Sequence, residues 1–195
     1  MSLTVKEKGG DFAQVPAGTH TAINNGVIDL GHQDGPFGIK PQIFLSFELP
    51  EETIEIEGEQ KPMIIGSFYT ASLSEKANLR RDLESWRGKA FTAEELDGFN
   101  IKAILGKPCT LSVYHNENGK ARIRGISPLM KGAQAGETEN PLVWFDLDHH
   151  DEHCQEFSQV PEWLQGIIKQ RGNPESENPA PPEAPAGDFD DQIPF

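Results

Sequence analysis

A chain of 195 residues with 36% hydrophobic and 8% aromatic residues has room for one domain with a full core, and a mean hydropathy of -0.52 leaves part of it to solvent. Cys109 and Cys154 give neither a disulfide framework nor a CxxC zinc signature, and no apolar run approaches the roughly 18 residues of a membrane span, so a reduced, soluble, cytoplasmic protein with no membrane partner is expected. The net charge of -14, taken alone, argues against nucleic acid, because Lys and Arg on phosphates supply most non-specific affinity.

Residues 1–14 show no sustained period and read as a flexible N-terminal arm. From Ala17 to Leu30 β-branched residues form a strand interrupted by Asn24-Asn25-Gly26, where a bulge is expected. A loop rich in Gly and Pro, carrying Phe37 and Lys40, leads to Gln42–Leu49. There Ile43, Leu45, Phe47 and Leu49 alternate with Phe44, Ser46 and Glu48, the pattern of a half-buried strand. Residues 50–61 read as a hairpin excursion and Pro62–Ala71 as a third strand. Ser72 with Glu75, and Thr92 with Glu95, have capping-box spacing. The first opens a helix through Leu73, Ala77, Leu79, Leu83 and Trp86, and the second a helical segment that stops at Gly106. Pro108–His115 and Lys120–Ser127 make strands four and five, joined at Asn116-Glu117-Asn118-Gly119, whose Asn-Gly step suits a tight hairpin.

Three strands, a helix and two strands predict a mainly β domain over 15–131, a five-stranded OB-fold barrel with its helix between strands three and four. Other small barrels, or an α+β sandwich with an inserted helix, share that order. Residues 132–172 read as a linker and C-terminal extension with a short helix, whose stripe of Trp163, Leu164, Ile167 and Ile168 must bury itself on the barrel or in a homodimer. Residues 173–195, proline-rich with six acids and no Lys or Arg, predict a disordered acidic tail.

The charge is segregated. Between Lys76 and Lys131 eleven basic residues stand against six acids, so this block carries +5. A single strand needs cations for its backbone and aromatic faces for its bases. Tyr114, Arg122 and Arg124 alternate against the apolar residues of strands four and five, with Lys120 beside them. Phe37 and Lys40 in the first loop, Phe44 on strand two, one of the adjacent Phe68 and Tyr69 (Tyr69 is the expected one) and Arg80 on the helix complete the candidate set. For each aromatic, core packing is the plain alternative. No Walker loop, GxGxxG or GxSxG motif is present, and no catalysis is expected. The cluster from Asp146 to Cys154 is a weak metal candidate through His149, His153 and Cys154, which a helix would place side by side. Its plain reading is a solvated acidic helix start, and neither metal nor cofactor is expected.

The chain ends Asp188-Phe189-Asp190-Asp191-Gln192-Ile193-Pro194-Phe195. This is similar to the acidic tip of bacterial single-stranded DNA-binding proteins, Asp-Phe-Asp-Asp-Asp-Ile-Pro-Phe, with Gln192 the one departure. The strand order, at the level of architecture, resembles the single-stranded DNA-binding proteins of bacteriophages and prophages. That resemblance implies sequence-independent binding of single-stranded DNA in replication, recombination or repair within a bacterial host cell. It also implies recruitment of host or phage helicases, primases or exonucleases, with Phe195 in a partner's pocket, its α-carboxylate on a basic residue and Asp190 and Asp191 on a basic ridge. Two other readings stay open: an adaptor or decoy that carries the tip without binding DNA, and a metal-dependent replication enzyme.

Overall fold

The computed structural model describes residues 13–35 and 38–172. Five strands follow one pairing path in the order β3-β2-β1-β4-β5: β1 (Gly18–Gln33), β2 (Lys40–Ile56), β3 (Glu59–Thr70), β4 (Pro108–His115) and β5 (Ala121–Ser127). These pairings are antiparallel. The sixth strand, β6 (Val143–Phe145), lies parallel to β1 at Gly26–Ile28. The protein is thus mainly β. Among the described residues no ladder joins β3 to β5, so the sheet is open along that seam.

The period-2 pattern explains which faces are buried, and the C-terminal segment explains why so much of β1 and β2 is. One face of the sheet carries Val27, Ile43, Leu45, Phe47 and Leu49 into a main core shared with Leu111 and Val113 of β4 and with helix α1 (Asn78–Arg87). The opposite face carries Ile28, Leu30 and Phe44 into a second core, closed by Phe145 of β6, Phe157 of α3 (Gln155–Gln159) and Leu164 and Ile168 of α4 (Glu162–Lys169). The extension therefore packs on the sheet, and β2, expected to be half-buried, is buried on both faces from Ile43 to Leu49. Glu48, 0% exposed, fastens that layer: its carboxylate accepts the backbone N–H of Glu139 at 2.8 Å and, from Asn140, the backbone N–H at 2.9 Å and the side-chain amide at 2.7 Å.

The expected bulge in β1 occurs where its neighbours change. Its register with β2 shifts between Asn24 and Gly26. Before the bulge β1 pairs with β4 through Gly18–Ile23, and after it with β6. Asn24 holds the crossover, giving its Nδ2–H to the carbonyls of Gly26 (3.1 Å) and Ser46 (2.9 Å). The β2–β3 hairpin closes on the two-residue turn Glu57-Gly58, with φ of 54° and 84°, the left-handed pair that matches strand twist.

Several local expectations are corrected. The Ser72/Glu75 spacing does not open a helix. Ser72 Oγ accepts the backbone N–H of Ser74 at 3.2 Å, a local turn that competes with helical capping, and α1 begins five residues later behind Ala77. Thr92 and Glu95, by contrast, form the full capping box of α2 (Ala93–Asp97), but that helix ends at Gly98 and only a 3-10 turn, Ile101–Ile104, follows. In the β4–β5 loop only Gly119 has positive φ, 70°. Asn116 shapes the turn instead, its Oδ1 accepting the backbone N–H groups of Asn118 (3.1 Å) and Lys120 (2.9 Å).

Candidate nucleic-acid interface

The open seam is where exposed aromatic rings and cations meet. On β3, Met63, Ile65 and Tyr69 point into the main core, so Ile64, Gly66 and Phe68 face outward. Phe68 is 48% exposed. The Phe44 ring lies across Gly66 of the neighbouring strand, where a Cβ would sit 2.1 Å from Cζ of Phe44. Trp163, 53% exposed at the start of α4, meets Phe44 edge to face with ring centroids 5.2 Å apart, and Phe44 meets Phe68 at 4.9 Å. Three aromatic rings from two strands and a helix thus form one ridge.

Clefts flank this ridge. One, of about 300 Å³, runs along the seam between Met63 and Ile65 of β3 and Ala121 and Arg122 of β5, with Phe68 and Trp163 at its rim. The other, of about 730 Å³, has Lys40 and Lys76 on its walls and Phe68 at one end. Cations therefore stand on both sides of an exposed ring. Beyond the seam, Arg122 is the cross-strand partner of Tyr114, and the Arg124 guanidinium lies 4.9 Å from the Tyr114 ring centroid. Arg122, Arg124 and Lys120 are exposed and Tyr114 is half-buried. A groove with stackable rings and guanidinium groups suits a flexible anionic polymer with planar side groups.

Sequence-predicted residues fall on both sides of this arrangement. Lys40, Arg122, Arg124, Lys120 and Tyr114 lie at or beside it. Phe44 is 8% exposed, the floor of the ridge rather than a free stacking face. Tyr69 is a correction: it is buried, its hydroxyl donates to Asp82 at 3.0 Å, and burial with the adjacent Asp82 carboxylate pushes its phenol far above the usual range. Phe68, not Tyr69, takes the outward position that was expected of Tyr69. Arg80 is half-buried against its own helix, with Nε 2.9 Å from Glu84. The Phe91 backbone N–H, followed by Arg80, holds the Glu84 carboxyl below its ordinary range. Phe37 and the tip, Asp188 to Phe195, lie outside the described residues.

Phe68 was legible in principle, since the phase fixed by Met63 and Ile65 sends Tyr69 inward and Phe68 outward. Trp163 was masked by its neighbours. It was expected in one buried stripe with Leu164, Ile167 and Ile168, yet Leu164 and Ile168 take the buried line four residues apart and Trp163 is left outside.

The metal candidates do not converge. Residues 148–153 are turns and irregular chain and not helix, so His149 and His153 share no helical face. His149 Nδ1 is 2.9 Å from Asp146, and Cys154 caps α3, its Sγ accepting the Phe157 N–H at 3.4 Å. Among the described residues no three His, Cys, Asp or Glu side chains gather to hold a metal ion, and no helix is long and apolar enough to cross a membrane. Comparison of the chain with known protein families found no matching family model, and comparison with curated protein sequences found no match.

Proposed function

We propose that the chain is a non-enzymatic, single-stranded DNA-binding protein of replication, recombination or repair in a bacterial cell, with an OB-type barrel. It binds the strand along the β3–β5 seam and recruits replication and repair proteins through residues 188–195. The observation that carries this reading is the placement of Phe68, an exposed ring between a cleft walled by Lys40 and Lys76 and a cleft reaching Arg122. The strand order β3-β2-β1-β4-β5, with the helices between β3 and β4, supports the barrel. The similarity of the tip to that of bacterial single-stranded DNA-binding proteins supports recruitment.

Titration of a labelled oligo-dT across a salt series tests the proposal. Affinity should fall linearly on logarithmic axes as salt rises. Phe68→Ala should weaken binding about five- to 150-fold, the equivalent of roughly 1–3 kcal/mol for one stacked base. Arg122→Ala should flatten the salt slope by about one. A wild-type chain that fails to bind the oligonucleotide, or binds it without salt dependence, overturns the reading. Tip-dependent capture of partners by such a chain would then favour the decoy.

A further inference from the structure

We infer that the cavity behind Trp163 is a receptor for one unstacked base of the bound strand, read at its edge by Asn25; this rests on the single-strand reading and deepens it. The cavity holds about 420 Å³ and is walled by Ile28, Phe44, Ile64, Pro141 and Trp163, with Asn25 among its lining. That volume lies at the small end of ligand sites, which run from about 300 to 1,000 Å³, and the walls are apolar and aromatic, as a flat ring requires.

Among the residues that line this cavity, Asn25 is the one with a buried side-chain oxygen left unpartnered. It is 4% exposed, sits in the β1 bulge, and its Oδ1 has no hydrogen-bond partner among the described residues. Asn24, one residue earlier, also has an unpartnered Oδ1, but its Nδ2 bonds two carbonyls across the strands and it does not line the cavity. A buried acceptor without a donor is costly, and a purely apolar occupant would keep it so. A base fits better, because its faces are apolar while its edge carries N–H donors that an asparagine amide can pair. Charge complementarity names the polymer to which that base belongs. Phe44, Ile64, Gly66 and Trp163 also line the adjoining seam cleft that ends at Arg122, so a strand whose base enters beside Trp163 has its next phosphates directed to a guanidinium.

The test uses the full chain and the shortest oligo-dT that binds at full affinity, with one thymine in turn replaced by an abasic site or by 3-methylthymine, which keeps the ring and lacks the N3–H donor. One position should stand out, losing about tenfold more affinity than its neighbours on either replacement. Asn25→Ala should weaken the intact oligonucleotide by about fivefold and be indifferent to 3-methylthymine at that position. Trp163→Ala, a change at an exposed residue, should weaken binding about tenfold and erase the abasic contrast while thermal melting is unchanged, which covers the case in which the bulge tolerates no alanine. If wild type binds oligo-dT with uniform losses along the strand, or if folded Asn25→Ala and Trp163→Ala bind as wild type does, the receptor is refuted and the single-strand reading stands. If wild type binds no oligonucleotide, both fall.

Discussion

Glu48 sits on the strand face that alternation assigns to solvent, yet it is buried because residues 139–140 lie over it and give its carboxylate three N–H donors. Glutamine in its place keeps the shape but replaces one acceptor oxygen by an NH2 group that faces donors. Glu48→Gln should therefore cost about 1.5–3 kcal/mol, the range for a hydrogen bond to a charged group, measured by urea denaturation. Proteolysis within residues 132–172 should speed up in parallel; unchanged stability would mean that the clasp contributes nothing. The same residue marks a limit of the sequence. Its alternation was legible, but the partner lies 91 residues away and no local pattern announces it. Asp29 has a related position. Burial raises its carboxyl above the usual range, against the lowering effect of the Gly31 and Leu147 N–H groups.

The β4–β5 hairpin was readable almost to the residue in its strands because strand lengths and alternation agree there, although Asn116 and not the Asn-Gly step shapes its turn, and Tyr114, Arg122 and Arg124 came out on the expected face. The ridge was harder to see because it is built from β2, β3 and α4 at once, and its key contact depends on the side chain that Gly66 lacks. Alanine at residue 66 would place a methyl 2.1 Å from Cζ of Phe44 and 2.9 Å from the Leu45 carbonyl oxygen, so the ring has to leave its seat. The Leu45 oxygen is backbone and cannot move as a rotamer can. Gly66→Ala should destabilise the fold by about 1–3 kcal/mol, the usual scale of overpacking. It should also weaken oligo-dT binding by displacing Phe44 from Phe68 and Trp163. Thermal melting and titration on the same sample check both, and retention of wild-type affinity at lowered stability would separate the ridge from binding.

Across the whole molecule, a net charge of -14 coexists with a groove bordered by Lys40, Lys76 and Arg122 because charge is sorted along the chain. Residues 173–195 alone hold six acids and no Lys or Arg. A polyanion joined to the same chain as a cationic groove is present at high effective concentration and competes there with phosphate, most strongly where screening is weakest. Deleting residues 173–195 should therefore tighten oligo-dT binding by roughly two- to tenfold at low salt, with the gain fading near physiological ionic strength as the Debye length falls to about 8 Å. The same deletion should abolish capture of helicase, primase or exonuclease partners by immobilised protein. Deletion of residues 188–195 alone removes three of the six acids, and so should abolish capture while giving only part of the gain in affinity. Equal affinity of full-length and truncated chains at low salt would rule out competition in cis and leave the acidic segment a role in recruitment alone.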